Sequence, residues 1–502
     1  MSIKKNIAAN YFGQFYVAII GILLVPVYVS YMGAEAYGLV GFYVTLQAWF
    51  MLLDMGFTPT MARETSRYVG GALSDIELRN ILRTLEGIFA VIAVLGTGLM
   101  LFATNSIATQ WLKVNELSLS EVVDSLILIS LIISLRWMSG LYRGVIKGFE
   151  QIVWLNGFNV AISTVRFVFV VPVLVYIGTA PTIFFGYQLL VSVAEFILLL
   201  LKGYALLPRV ETTAINWDWK HLRGTIQFSL SHAFAGMVWV IATQTDKLII
   251  SGLISLSDFA YFTLAVLVAS GVMIVTRPIS GAILPRMTIL HAEEDQVKLI
   301  SLYRGATQMV AVISIPLVLI MSVFPQQVLF VWTGDYELAS KVSSILALYA
   351  VGNGVMVLAA FPYLLQYAKG ELGLHLIGNA IFVILFIPAL YFLVKAYGMQ
   401  GAGYAWITSN VLFFLLYVPI VHNKFAKGMH LKWLTFDIGT VAVPPLCFIL
   451  ITVMWVQVPS DRVGLAIFIF AVLIGTLFFS LIGAEKFRKF IKSRYFPRSQ
   501  KV

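Results

Sequence analysis

Charge is scarce in this chain. Asp, Glu, Lys and Arg make up 12% of its 502 residues, against about 25% in an ordinary soluble protein. So little charge leaves no room for a soluble enzymatic domain beside the apolar bulk. Cysteine is scarcer still: Cys447 stands alone in an apolar stretch, which excludes a disulfide framework and a thiolate metal site. There is no Walker-type phosphate loop, so the chain does not itself hydrolyse ATP, and no cofactor is implied. Long polar loops are missing as well. A membrane polymerase or glycosyltransferase would carry a large outer loop with clustered acidic or arginine residues, and the joints here are too short for one.

What is present is hydrocarbon. The composition is 60% hydrophobic and the mean hydropathy is +0.91, with apolar runs of about twenty residues, the length that crosses a bilayer core as a helix. In lipid every backbone polar group needs an internal partner, which leaves helices or closed barrels. Unbroken runs, without strict alternation, select helices. The runs predict fourteen spans, at 11–31, 37–57, 87–105, 122–141, 155–177, 181–201, 225–250, 259–280, 305–323, 343–363, 372–394, 400–421, 437–456 and 463–483. Lys4 and Lys5 before an apolar run resemble a signal peptide. The run's length, its lack of a small-residue cleavage site and the span that follows at once mark it as a retained helix.

The net charge of +10 would suit nucleic acid were it not for where the charges fall. Lys and Arg gather in alternate joints: Lys4 and Lys5, then Arg63, Arg67, Arg79 and Arg83, then Arg136, Arg143 and Lys147, and so on to a basic tail. The intervening joints offer only Lys113, Lys341, Lys395 and Arg462. This is the positive-inside asymmetry, and it predicts a multi-pass membrane protein with both termini in the cytoplasm. The inner joints 58–86, 202–224 and 281–304 hold amphipathic stretches, such as Ile76–Leu85, expected to lie at the membrane surface or to couple the halves.

The first and second halves repeat one another at an offset of about 222 residues, as between Lys147-Gly148 and Lys369-Gly370. Pro172 and Pro388 lie inside the spans that follow. The expected organisation is a six-helix lobe over 1–202, a cytoplasmic linker at 203–224, a second six-helix lobe over 225–421, two additional helices in 422–485 and a cytoplasmic tail at 486–502. Parallel repeats of this kind belong to secondary transporters, with the pathway between the halves.

Charges inside the spans need a reason, because each costs at least about 2.5–3.5 kcal/mol at mid-membrane on insertion scales. Arg166, near the middle of the fifth span, is either a cationic contact for an anionic substrate or a structural arginine paired with a carboxylate. Asp246 and Lys247 are helix neighbours roughly 100° apart, so they are not expected to neutralise one another, and either is a substrate-contact candidate. Asp54 and Glu195 are acidic candidates for a coupling proton, since burial raises a carboxyl pKa toward a useful range. Each is equally a candidate salt-bridge partner, Arg166 among the cations it could meet. A basic rim of Arg63, Arg136, Arg143, Arg277, Arg286 and Lys369 is placed at the cytoplasmic mouth, where topology alone asks for positive charge. Gln14, Asn156, Asn159, Gln188, Gln227, Ser231, His232, Gln244, Asn353, Asn379 and Asn410 are polar residues in apolar surroundings. They glue helices together or line a wet cavity, and His232 titrates in the physiological range.

The opening Asn10-Tyr11-Phe12-Gly13-Gln14, with Val25-Pro26-Val27-Tyr28, Met32-Gly33-Ala34-Glu35-Ala36-Tyr37-Gly38 and Asp54-Met55-Gly56-Phe57, resembles the bacterial Wzx-type polysaccharide repeat-unit flippases. These include the O-antigen translocases of the multidrug/oligosaccharidyl-lipid/polysaccharide exporter superfamily. Asp246-Lys247 with Leu248 to Gly252 resembles the start of that family's second lobe. The resemblance runs to about residue 485. It implies an all-α membrane fold of two pseudo-symmetric six-helix lobes in a V shape, with two further helices. It also implies flipping of an undecaprenyl-diphosphate-linked oligosaccharide by alternating access, coupled to a proton or other cation. Arg166 and Lys247 match the family's basic cavity residues, and a polysaccharide polymerase and chain-length regulator are implied as partners. A drug exporter of the same superfamily and a flippase for lipid II or teichoic precursors are similar enough to stay open.

Overall fold

The computed structural model describes residues 3–211, 215–218, 237 and 240–485, and the chain is helical through most of them. The first crossing is broken, α1 (Ile3–Leu23) handing over to α2 (Val25–Met32). Pro26 sits in the opening turn of α2, where its missing N–H costs nothing. There follow α3 (Ala34–Phe50), the short amphipathic α4 (Phe57–Val69), α5 (Asp75–Ser106) and α6 (Leu119–Gly148). Next come α7 (Ile152–Phe167), α8 (Val170–Tyr176) and α9 (Pro181–Leu206). After helical backbone over 240–253 lie α10 (Leu256–Ala292), α11 (Gln296–Val323), α12 (Pro325–Thr333) and α13 (Tyr336–Ala368). The chain goes on through α14 (Gly373–Tyr397), α15 (Met399–Phe425), a π-helical turn Trp433–Gly439, α16 (Thr440–Trp455) and α17 (Arg462–Gly483).

Among the described residues, thirteen helices are long and apolar enough to cross a membrane. The other expected span, 225–250, falls largely outside the described residues, as do Gln227, Ser231, His232, part of the 203–224 segment and the basic tail. The side chain of Arg277 also lies outside them. Capping, not hydropathy, decides several helix ends. Ser74 and Glu77 form a reciprocal box, the Ser74 N–H donating to Glu77 Oε2 at 2.7 Å, which satisfies donors left over at a helix start. Ile76–Leu85 is therefore the opening of α5 and not a separate surface segment. Likewise α6 runs past the expected boundary at 141, and α10 continues to Ala292.

The chain divides into two compact units, Met1–Ala260 and Tyr261–Val502. The division falls inside α10, and the first unit includes the helix over 240–253. In the first unit α4 lies against α6 at small residues, which let helix backbones approach closely. A Cβ on Gly144 would stand 2.7 Å from the Thr58 carbonyl oxygen, and one on Gly148 2.7 Å from that of Ala62. Tyr142, Ile146, Leu155 and Leu199 join α6, α7 and α9 in a common apolar cluster.

The Gly33–Gly38 stretch has a structural purpose. Glu35, 1% exposed, stands in the first turn of α3, where the helix dipole favours a carboxylate. It accepts the backbone N–H groups of Asn115 at 2.6 Å, Glu116 at 2.5 Å and Leu117 at 2.7 Å. A Cβ on Gly38 would stand 2.4 Å from the Leu256 carbonyl oxygen. The same loop donates Lys113 Nζ to the Leu253 carbonyl at 2.6 Å and Trp111 Nε1 to Ser251 Oγ at 3.0 Å. It thus ties α3 to the segment entering α10.

The second unit uses amide and indole chemistry for the same end. Asn353 of α13 donates to the Ala269 carbonyl of α10 at 2.9 Å and accepts from Trp406 Nε1 of α15 at 3.0 Å. Trp406 stacks on Tyr349 with ring centroids 5.7 Å apart. Asn410 caps the Trp406 carbonyl at 2.8 Å.

Candidate functional site

Pro172 removes a backbone donor from the fifth crossing, and the helix parts between Phe167 and Val170. Carbonyls at such a break must find partners inside the protein, because lipid offers none. Tyr28 Oη donates to the Phe167 carbonyl at 2.6 Å, Tyr187 Oη to that of Val165 at 2.6 Å, and Gln188 Nε2 to that of Arg166 at 3.1 Å. The break leaves Arg166 in the last turn of α7, held against α9.

Gln188, Ser192 and Glu195 stand on one face of α9, at helical spacing. Arg166, 4% exposed, donates Nη2 to Glu195 Oε2 at 2.5 Å and Nη1 to Gln188 Oε1 at 3.2 Å and Ser192 Oγ at 3.3 Å. The other Glu195 oxygen accepts from Arg143 Nη2 of α6, whose Nη1 donates to Asn159 Oδ1 of α7. About two turns along α6 from Arg143, Arg136 Nη1 donates to Tyr43 Oη at 2.7 Å and Gln47 Oε1 at 2.8 Å, both from α3. Four helices contribute.

The charges in this cluster do not balance. Two guanidiniums, of Arg143 and Arg166, share the Glu195 carboxylate, and that of Arg136 beside them is held by the neutral Tyr43 and Gln47. Among the described residues this leaves three cations that never lose their protons to one anion, an excess of two positive charges. Taking an ion out of water costs several kcal/mol unless it is fully compensated. What such a cluster can do is hold an anion, since the guanidinium fork matches phosphate oxygens in pairs. Access is unequal: 24% of the Arg143 side chain is exposed, against 5% for Arg166.

Two expectations change here. Arg166 is enclosed and paired with Glu195, the salt-bridge alternative weighed from the sequence, and does not open onto a wet surface. Arg143, expected at the cytoplasmic rim, lies within α6 and shares that carboxylate. Of the polar residues, Asn159 and Gln188 join the cluster, Asn353 holds helices together, and Asn410 bonds back to a carbonyl of its own helix.

The remaining sites lie apart from it. Asp246 is 1% exposed, and Lys247 Nζ comes within 3.4 Å of Asp246 Oδ1 while donating to the Thr243 carbonyl at 2.8 Å. The two neighbours do pair, contrary to expectation, because the four-carbon lysine stem folds back along the helix. Asp54 accepts from Thr58 Oγ1 at 2.6 Å and the Thr58 N–H at 3.2 Å, contacts with the first turn of α4. Arg63 and Arg67 both reach Glu64, at 3.1 and 2.7 Å. Arg286 is half exposed, 3.9 Å from Glu293. Lys369 Nζ donates to the Phe425 carbonyl at the end of α15 at 3.0 Å.

Tyr43, Gln47 and Ser192 escaped the sequence reading, as did Glu35. Each is an ordinary helix residue until the fold supplies its partner. A second cluster also escaped. In it Arg304 Nη2 donates to Asp437 Oδ1 at 3.1 Å, its Nε bonds the other oxygen, and Gln308 Nε2 donates to Asp437 Oδ1 at 3.1 Å. The available signal was a charge at the margin of each of two apolar runs, 305–323 and 437–456.

A family model described as "Polysaccharide biosynthesis protein" matches residues 3–291. A putative O-antigen transporter of Shigella flexneri is 21% identical over 424 residues, 83% of this chain and 97% of that protein. The solved lipid II flippase MurJ, in an inward closed conformation, aligns with 98% of this chain and 100% of its own at 14% identity and a TM-score of 0.73. An inward-facing multidrug resistance MATE family transporter of the MOP superfamily aligns with 83% of this chain and 98% of its own, at 14% identity and 0.69. At such identities the structures establish the fold, that of an all-α polytopic membrane protein.

Proposed function

The chain belongs to the polysaccharide biosynthesis protein family, and from that premise we propose that it is a flippase. Its substrate is an undecaprenyl-diphosphate-linked oligosaccharide, an O-antigen or related repeat unit, carried from the cytoplasmic to the outer leaflet. The observation that carries this reading is the unbalanced arginine cluster around Glu195. A diphosphate crossing a low-dielectric interior needs compensating cations, while its prenyl tail stays in lipid. Arg143, the more exposed partner of Glu195, takes the headgroup. Arg166 and Arg136 supply the field, and Glu195 keeps the guanidiniums together while the site is empty.

The rest of the reading follows from the same premise. Six-helix lobes over 1–202 and 225–421 alternate in access, the helices of 422–485 complete fourteen crossings, and both termini lie in the cytoplasm. Lys247 and Asp246 are secondary contacts. Arg63, Arg286 and Lys369 attract the anionic headgroup on the cytoplasmic side. An ion gradient drives the cycle, with Asp54, Glu195, Asp246 and His232 as carriers to test. The product passes to a polymerase and chain-length regulator. The role is transport, with no bond made or broken by this chain.

A lipid II or teichoic-precursor flippase is the second reading, supported by the alignment with MurJ over 98% of the chain. The test is leaflet exchange of a fluorescent prenyl-diphosphate oligosaccharide in liposomes. Arg143→Ala is expected to lose exchange at unchanged folding. Full exchange in that variant would remove the cluster from the transport path. Exchange of lipid II in preference to repeat-unit oligosaccharides would select the second reading.

A further inference from the structure

The second unit buries a chain of titratable groups that the transport site does not use. Tyr303 of α11 and His422 of α15 are each 0% exposed, and Tyr303 Oη lies 2.7 Å from His422 Nε2. His422 Nδ1 lies 2.9 Å from Nδ1 of His430, which is only partly buried and begins the helical stretch leading into the π-helical turn. Trp433 covers the site, its ring centroid 4.8 Å from that of His422, and its Nε1 donates to Thr307 Oγ1 at 2.9 Å. Irregular π-turns of this kind often accompany functional sites.

We propose that Tyr303, His422 and His430 form a proton-binding site that takes up one extra proton and holds the turn Trp433–Gly439 against α11 and α15 up to that occupancy. Proton counting gives the limit. An Nδ1-to-Nδ1 bond needs a hydrogen on one ring and a lone pair on the other. Both neutral rings satisfy this, and so does the pair with one added proton. Two added protons put hydrogen on both Nδ1 atoms, and the bond is lost. Tyr303 serves either state, donating to a bare Nε2 and accepting from a protonated one. The pair therefore titrates as a unit.

The charged groups around the site are largely engaged with one another. Arg304 on α11 is paired with Asp437 of the π-turn, Lys424 with Glu371 at 2.7 Å, and Lys369 with the Phe425 carbonyl. Lys427 and Lys432 flank His430 in the chain. The partly exposed His430 is the end through which a proton exchanges with water. As the seat of the coupling ion this site rests on the flippase reading; as a proton site it does not.

The test uses the full chain with 15N-labelled histidine, followed by NMR in lipid nanodiscs from about pH 8 to about pH 4. His422→Gln and His430→Gln assign the two rings. The expected result is one shared transition, one proton for the pair, that moves in Tyr303→Phe, the variant that keeps the ring packing. Two independent single-ring transitions, or none in that window, overturn the site. In liposomes His430→Gln is expected to lose the response of exchange to an imposed pH gradient. A full response in that variant would overturn the coupling role. Absence of exchange by the wild type would defeat the flippase reading and leave the NMR result standing.

Discussion

Each compact unit buries a polar network where several helices meet, and the two networks differ in charge balance. In the first, Arg143 and Arg166 share Glu195 while Arg136 is held by the neutral Tyr43 and Gln47, three cations to one carboxylate among the described residues. In the second, Arg304 meets Asp437 as one cation to one anion, with Gln308 completing the carboxylate's partners. A satisfied network closes on itself and fixes helices in register. A network with surplus cations keeps a demand for an anion from elsewhere. Burial alone does not separate glue from site, since Asp437 and Arg166 are both almost fully enclosed. The ratio of partners does.

The sharpest way to break the comparison is to unbalance the second network. Asp437→Ala leaves Arg304 without its counter-ion and is expected to cost about 3–5 kcal/mol, read as thermal unfolding in detergent. Arg304→Met combined with Asp437→Leu should recover most of that loss, because a well-packed apolar pair substitutes for a buried ion pair at little cost.

Anion binding comes next. Pyrophosphate should raise the unfolding temperature of the wild type and restore part of the loss in Glu195→Gln, where the surplus grows from two charges to three. It should do nothing for Asp437→Ala. An equal response in both variants would erase the distinction between the networks.

A smaller contrast lies within the first network. Arg143→Ala exposes no orphaned carboxylate, since Arg166 still holds Glu195, so its stability should change by about 1 kcal/mol or less. Arg166→Ala strips Gln188 and Ser192 of their donor as well and should cost about 2 kcal/mol or more. Unfolding curves of the two variants separate these outcomes.

The smallest effect concerns pH. Asp295, capping α11, is held below the usual carboxylate range by the hydrogen bond from Lys298 and that residue's backbone N–H. A depressed folded value means that its contribution is fully present above the unfolded one and fades as pH falls through the folded one. The cap therefore stays in place above about pH 5. Asp295→Asn should leave any transition of the second unit between about pH 5 and about pH 8 unchanged.

Much of the fold was legible because hydrocarbon length and backbone satisfaction leave few choices. The helix ends were less so: window hydropathy placed a span start at 87, while the Ser74–Glu77 box starts α5 twelve residues earlier. Arg166 and Glu195 stood out as charges in apolar runs, but Asp54 was an equal candidate partner, and only the packing of α7 on α9 selects Glu195. Arg143 was read as a rim charge because a basic residue near a span end is ordinary, and its sharing of Glu195 shows only once α6 is seen to run to Gly148. Tyr303, His422 and His430 gave no signal at all. A hydroxyl and two imidazoles at span margins are unremarkable until helices 119 residues apart in the chain meet.

The clamp at Glu35 has a consequence for how this protein can vary. Its three bonds go to main-chain N–H groups of residues 115–117, so the carboxylate grips the loop without regard to which side chains the loop bears. Drift at those three positions is neutral as long as proline, which lacks the hydrogen, stays out. Position 35 has no such freedom, because only a side chain of that reach and charge can answer three amides at once.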